Sequence, residues 1–366
     1  MNTTPFLAPN NDSVYARQIA FIAAFLLPAA KFLETPSLLA KDAAGDILLP
    51  ALLHFILQAG VLFALVYACS RSEKTLFERL NEWLGKGAGA VYILFALYYL
   101  FAAVLPLLDL EKFVYAAFYD TSPTTFSFAV FFVFSAFVCT RGLKTLGRVG
   151  DICLFLFVLP FSAILFMSLG EADFTHLLPV FGEQFGSTMS AFKHTSPHFS
   201  DAVLLLPFIG NLRYQKGDGT KIMAGYGVGA GITLIFLAVF FGIYSSIAPR
   251  EHYAFSKIAQ YFPALSVIGR ADLIFVYLLT VVLLFTTCLP LHYSVDFVCR
   301  TVGTRRRALF SAVLNIGAFV FVFFNNKRYN AFYGVISGKL YLVFILVADI
   351  LPLFCLLLPK KENKHA

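Results

Sequence analysis

Four ionisable residues, Lys31, Glu34, Asp201 and Asp349, fall within stretches otherwise apolar enough to cross a bilayer. A charge at that depth costs about 3 kcal/mol or more, so it is retained where it pairs, binds a polar solute or relays a proton. Lys31 and Glu34 are three residues apart and share a face if the chain is helical there, which lets them pair. If they do not pair, Lys31 is left to meet a ligand carboxylate while Asp201 or Glu34 meets its amine. Pro28 lacks an N–H and its ring disfavours continued helix, so the segment is expected to break near its middle, around Pro28, Ala29, Lys31 and Glu34. A second such place is the polar group His194, Ser196, Pro197, His198, Phe199, Ser200 and Asp201 ahead of an apolar run. Irregular polar backbone at membrane depth is tolerated only where it lines a cavity or is buried in protein. His194, His198 and Asp201 have the spacing of metal ligands, or of a small intramembrane catalytic group, on one helical face. Pro197 interrupts the helix that this spacing requires, and no other His or Cys cluster is evident, so no metal or other cofactor is expected. Asp349 has two readings, a proton-coupling residue or a helix-packing group bonded to a neighbouring hydroxyl.

No nucleophile triad, HExxH site or Walker sequence is present, which leaves the handling of an ion or small solute within the bilayer as the expected activity. The glycines Gly225, Gly227, Gly229 and Gly231 have no preceding strand and no following Lys-Ser/Thr, so they do not make a phosphate loop. They form two overlapping pairs of small residues four apart, suited to close helix packing.

These residues are positioned by an all-α polytopic membrane domain. Of 366 residues 59% are hydrophobic and 13% charged, with 43 Phe, which excludes a water-soluble fold. The mean hydropathy of +0.78 and the lack of period-2 alternation exclude an outer-membrane barrel. Ten apolar windows of spanning length occur at 18–40, 47–69, 88–108, 123–140, 152–169, 194–212, 222–248, 273–295, 308–324 and 340–358. They divide one domain, 1–366, into an N-terminal stretch 1–17, helices one to five at 18–169, helices six to ten at 194–358 and a tail 359–366. Pooling alternate connections places eighteen of the 28 Lys and Arg on one side, so both termini are expected in the cytoplasm. The net charge of +7 is spread over short loops and is explained by this topology, with no nucleic acid as partner. The first Lys or Arg is Arg17 and no small-residue cleavage site follows the first apolar run, so the N-terminus is expected to be retained. The six cysteines read as small buried hydrophobes. Residues 71–86 read as an amphipathic surface helix, with Ser70 and Glu73 at capping-box spacing and the only Trp, Trp83, at the interface.

The interrupted segments, one and six, each open a set of five. Broken spans at corresponding positions in two halves point to a five-plus-five inverted-repeat transporter with its site between the breaks.

Several local sequences carry a family likeness: KDAAGD at 41–46, KTLFERLNEWLGK at 74–86, GLKTLGRVGD at 142–151, LLPVF at 177–181, and SPHFSDA at 196–202 leading to PFIGN at 207–211. In their order and spacing the chain resembles the B subunits of nutrient germinant receptors, the spore-germination permease family of the amino acid, polyamine and organocation (APC) transporter superfamily. The resemblance implies the ten-helix APC/LeuT-like architecture and an amino acid or similar small nutrient as ligand. It also implies no covalent chemistry, and a complex with A-type and lipoprotein C-type receptor subunits in the inner spore membrane. The nearest other reading is a proton-coupled amino-acid permease. Two departures from the family pattern alter the space for a substrate: PAAKF at 28–32 stands where a Gly-rich break is usual, and Ser200 replaces the Gly before the helix-six acid.

Overall fold

The computed structural model describes residues 14–71, 74–118, 124–178, 182, 185–260, 272–304 and 306–357. The described residues are helical, with an isolated bridge between Val14 and Leu212 as the only extended pairing among them. In chain order the helices used below are α1 (Ala16–Ala30), α2 (Thr35–Ala43), α3 (Leu48–Ser70), α4 (Leu76–Leu84), α5 (Ala88–Phe118), α6 (Thr124–Cys139), α7 (Leu143–Ser168), α8 (Phe185–Thr195), α9 (Asp201–Ile209), α10 (Asp218–Tyr244), α11 (Ala254–Gln260), α12 (Asp272–Val302) and α13 (Arg307–Asn325). The remaining described chain, from Tyr329 to Leu357, alternates short α-turns with two π-turns, Val335–Lys339 and Leu346–Ile350.

Among the described residues six helices are long and apolar enough to cross a membrane, or seven if the bent pair formed by α1 and Thr35–Asp46 is one span. The protein is an integral membrane protein. Its outward faces carry large apolar side chains in the open, such as Phe155 at 74% and Phe166 at 77% exposure, as a lipid-facing surface does. Inside, α12 packs along α5, where Ser294 donates to the Ala96 carbonyl at 3.0 Å and Tyr99 stacks on Phe297 and meets Tyr293 edge to face. Polar side chains also tie α13 to α6: Ser311 donates to the Ala136 carbonyl at 2.6 Å.

The surface helix α4 forms, but its capping box is Thr75 with Glu78 and not Ser70 with Glu73. Thr75 Oγ1 accepts from the Glu78 N–H at 3.3 Å and Glu78 Oε2 accepts from the Thr75 N–H at 2.8 Å. Glu73 lies outside the described residues. Thr75 wins because its helix begins where the apolar residues Leu76, Phe77 and Leu80 bury. Of the glycine pairs on α10, Gly225 and Gly229 meet α1, whereas Gly227 and Gly231 face open space. Five cysteines, Cys69, Cys139, Cys153, Cys288 and Cys299, are free and buried, as expected; the side chain of Cys355 lies outside the described set.

Candidate functional site

Helix α1 does not break at Pro28. A π-turn, Ile22–Leu26, widens the helix just ahead of it and accommodates the ring and the missing donor. The chain stays helical to Ala30 and closes with tight turns, Lys31 N–H to the Pro28 carbonyl at 2.8 Å and Phe32 N–H to the Ala29 carbonyl at 3.2 Å. The direction then changes by 65° before α2, whose first turn contains Pro36. The other interrupted segment starts earlier than hydropathy suggests, at Phe185. It passes from α8 through a 3₁₀ turn, Ser196–Phe199, that starts at Ser196-Pro197, and resumes as α9 at Asp201.

The two breaks face each other across one ion pair. Lys31 Nζ lies 2.5 Å from Asp201 Oδ1 and 3.4 Å from the Leu27 carbonyl, with the Phe199 ring centroid 5.3 Å away. Both side chains are almost fully buried, at 3% and 1% exposure. Asp201 occupies the first turn of α9, where the helix dipole favours a carboxylate, and its Oδ2 accepts from the Tyr226 hydroxyl at 3.1 Å. Gln58 extends the network: its Oε1 accepts from the Ala202 N–H at 2.9 Å, while its Nε2 donates to Asp349 Oδ1 at 2.8 Å. The neighbour that Asp349 bonds is therefore an amide and not a hydroxyl. Beside Lys31, His54 is stacked between Phe192 and Phe199, with centroids 4.0 and 4.4 Å away, and its Nε2 lies 3.2 Å from the Thr195 hydroxyl.

Of the residues singled out in the sequence, Lys31, Phe199 and Asp201 meet directly and Asp349 joins them through Gln58. Pro28 and Ala29 line the end of α1 that carries Lys31, and Ser200, mostly buried, donates to the Ser196 carbonyl at 3.5 Å. Glu34 does not pair with Lys31, because the bend takes the two off any common face. It turns to the end of the bundle opposite α4, where its Oε2 lies 2.7 Å from His252 Nδ1. His198 stands apart with its ring 6.1 Å from Tyr333. His194 Nδ1 lies 2.6 Å from Asp42 Oδ2, so the supposed metal face of His194, His198 and Asp201 is not assembled. His54, Gln58 and Tyr226 were missed by local reading; the signal available was two polar residues four apart, His54 and Gln58, in an otherwise apolar span.

Polar contacts tie the bundle together at the ends on either side of the pair. At the α4 end, Arg300 donates to Asp296 Oδ2 at 2.8 Å and to Asn211 Oδ1 at 3.0 Å, and Arg307 also pairs with Asp296. At the opposite end, the N–H groups of Ala254 and Phe255 donate to the Leu33 and Phe32 carbonyls, each at 3.1 Å, so the start of α11 is strapped onto the α1 break.

The hydrogen bond to Glu34 raises the His252 pKa above its ordinary 6.5; partial burial opposes this, the Glu34 and Glu251 charges reinforce it, and Lys112 acts against it. A group whose folded pKa is raised contributes its stabilisation in full below the unfolded pKa and loses it as pH rises through the folded value. Amide exchange at Ala254 and Phe255, corrected for intrinsic rates, is thus expected to be slowest in mildly acidic buffer and to accelerate as pH passes above 6.5. The variant His252→Asn should remove that pH dependence.

A family model described as a spore germination protein, the spore permease family, matches residues 14–330. No curated protein matches the chain. Among solved structures the fold is similar to that of MhsT, determined in complex with L-phenylalanine, with a TM-score of 0.66 at 13% identity over 93% of this chain and 89% of that one. That likeness is one of fold, the LeuT-type transporter fold.

Proposed function

The chain belongs to the spore germination protein family, and from that premise we propose that it is the membrane subunit of a nutrient germinant receptor that recognises an amino acid or similar small nutrient between its two helix breaks. The observation that carries this reading is the buried Lys31–Asp201 pair, at which two interrupted helices meet. A zwitterion brings one carboxylate and one ammonium, so it exchanges the pair for two others, its carboxylate to Lys31 and its amine to Asp201, without leaving a charge bare in the interior. The complex bound by MhsT, with an amino acid, is consistent with a solute of this class.

Ten spans in a five-plus-five arrangement follow on this reading when the short α6, the pair α8 and α9, and the interrupted chain from Tyr329 are counted with the longer helices. Both termini then lie in the cytoplasm, with α4 on the same face, and the A-type and C-type receptor subunits join the assembly in the inner spore membrane. A reporter active only in the cytoplasm should work when fused after Lys361 and fail when inserted within residues 171–193. The opposite pattern would reverse the orientation.

Deleting the gene from its host should abolish germination to one nutrient class and lower the level of the A-type partner. A strain that germinates normally but loses vegetative uptake of an amino acid would instead favour a proton-coupled permease. The feature favouring that second reading is Asp349, linked through Gln58 to the turn that carries Asp201.

A further inference from the structure

At one corner of the α4 end, the turn after α6 is tied to α12 and to the first residue of α13 through a single backbone atom. The Arg141 carbonyl lies 2.8 Å from His292 Nε2 and accepts from Arg307 Nη1 at 3.2 Å. The acid of this corner, Asp296, is committed to Arg300 and Arg307. Among the described residues no carboxylate pairs with Arg141, Lys144 or Arg306; the two arginines are exposed and Lys144 is half-buried. The Arg141 guanidinium lies 4.4 Å over the ring of Phe137. That ring heads an outward apolar lane down α6, with Val130 71%, Val133 73%, Phe134 46% and Phe137 56% exposed.

We propose that this corner binds the headgroup of an anionic phospholipid, its phosphate on Arg141, Lys144 and Arg306 and one acyl chain along Val130, Val133 and Phe137. Three cations with no carboxylate partner among the described residues repel one another and call for a counter-anion, and a guanidinium takes a phosphate through two parallel hydrogen bonds. The Phe137 ring holds Arg141 in position before the anion arrives, which reduces the ordering cost of binding. A lipid satisfies both the cations and the apolar lane, whereas a soluble anion satisfies only the cations. Each such cation near a membrane surface contributes about fivefold to the binding of anionic lipid.

The test uses the purified full chain in mixed micelles of phosphatidylglycerol and phosphatidylcholine, with bound lipid counted by native mass spectrometry. Wild type is expected to retain phosphatidylglycerol preferentially. Arg141→Gln/Lys144→Gln/Arg306→Gln should lower that preference by about tenfold or more; Arg141→Lys/Arg306→Lys, which keeps the charges but loses the two parallel hydrogen bonds, should lower it less, and the control Lys86→Gln/Lys216→Gln should keep it. Should the triple variant not fold, Arg141→Gln alone is expected to lower the preference by about fivefold. An unchanged preference when positions 141, 144 and 306, or 141 alone, carry Gln, or an equal loss in the control, would overturn the site. Release of phosphatidylglycerol by an equal concentration of inorganic phosphate would overturn the lipid assignment in favour of a soluble anion.

Discussion

Asp201→Ala is expected to destabilise the folded protein by about 3–5 kcal/mol, because it strands a buried ammonium. Lys31 would keep only the Leu27 carbonyl at 3.4 Å and the face of Phe199. Lys31→Ala should cost somewhat less, since Asp201 retains the Tyr226 hydroxyl and the N-terminus of α9. Replacing both at once, as Lys31→Met/Asp201→Leu, removes the two charges together and should recover most of the lost stability, as apolar replacements of buried ion pairs commonly do. The nutrient response should not recover with it, since the double variant offers neither charge to a zwitterion. Melting temperatures in detergent and germination dose–response curves in the host separate the two quantities. Each single variant is expected to shift the half-maximal nutrient concentration at least about tenfold, with Lys216→Ala as an unshifted control. A double variant that restores the response along with the stability would make the pair a packing element and move ligand recognition elsewhere.

The parts of this site that were legible in the sequence are those set by uninterrupted local pattern. The window 47–69 lies within one residue of α3, Leu48–Ser70, because an apolar run without internal Gly-rich or charged punctuation has one good conformation in a bilayer. The two breaks were legible from Pro28 and Pro197, the second at its observed place and the first displaced. A π-turn defers the first break to 31–34, and hydropathy misses the start of α8, where Thr188, Ala191 and Thr195 bury the inner face of a helix polar on its other side. Pairing was the least legible level. Lys31 takes its partner 170 residues away, and Glu34 takes His252, 218 residues away, while the local spacing that favours a Lys31 to Glu34 contact is cancelled by a 65° bend. Spacing rules describe one straight helix and carry no information about what a neighbouring helix presents.

The close approach of α10 to α1 predicts opposite outcomes for alternate glycines on one helix. A Cβ at Gly229 would lie 2.3 Å from the Ala23 carbonyl oxygen and 3.2 Å from the Pro28 ring; one at Gly225 would lie 2.5 Å from the Ala20 carbonyl oxygen. The closest obstacles are backbone, so no rotamer change relieves them and the helices must separate. Overpacking of this kind typically costs about 1–3 kcal/mol. Gly227 and Gly231 have nothing within 4 Å of the same added atom, so Ala there should be neutral or stabilising by up to about 1 kcal/mol through helix propensity. Gly225→Ala and Gly229→Ala are therefore expected to lower the melting temperature, while Gly227→Ala and Gly231→Ala leave it unchanged or raise it. Position 229 should have a second effect that stability alone does not produce. It sits against the turn of α1 that leads to Lys31, and Tyr226, which bonds Asp201, lies one turn earlier on the same helix. Pushing α1 from α10 there moves the two halves of the ion pair's surroundings apart, so Gly229→Ala should weaken the nutrient response more than Gly225→Ala does at matched protein level. Equal melting temperatures for all four variants would show that the helices are not seated through this pair of glycines, and the path by which α10 holds the α1 break in register with Asp201 would have to run through side chains instead.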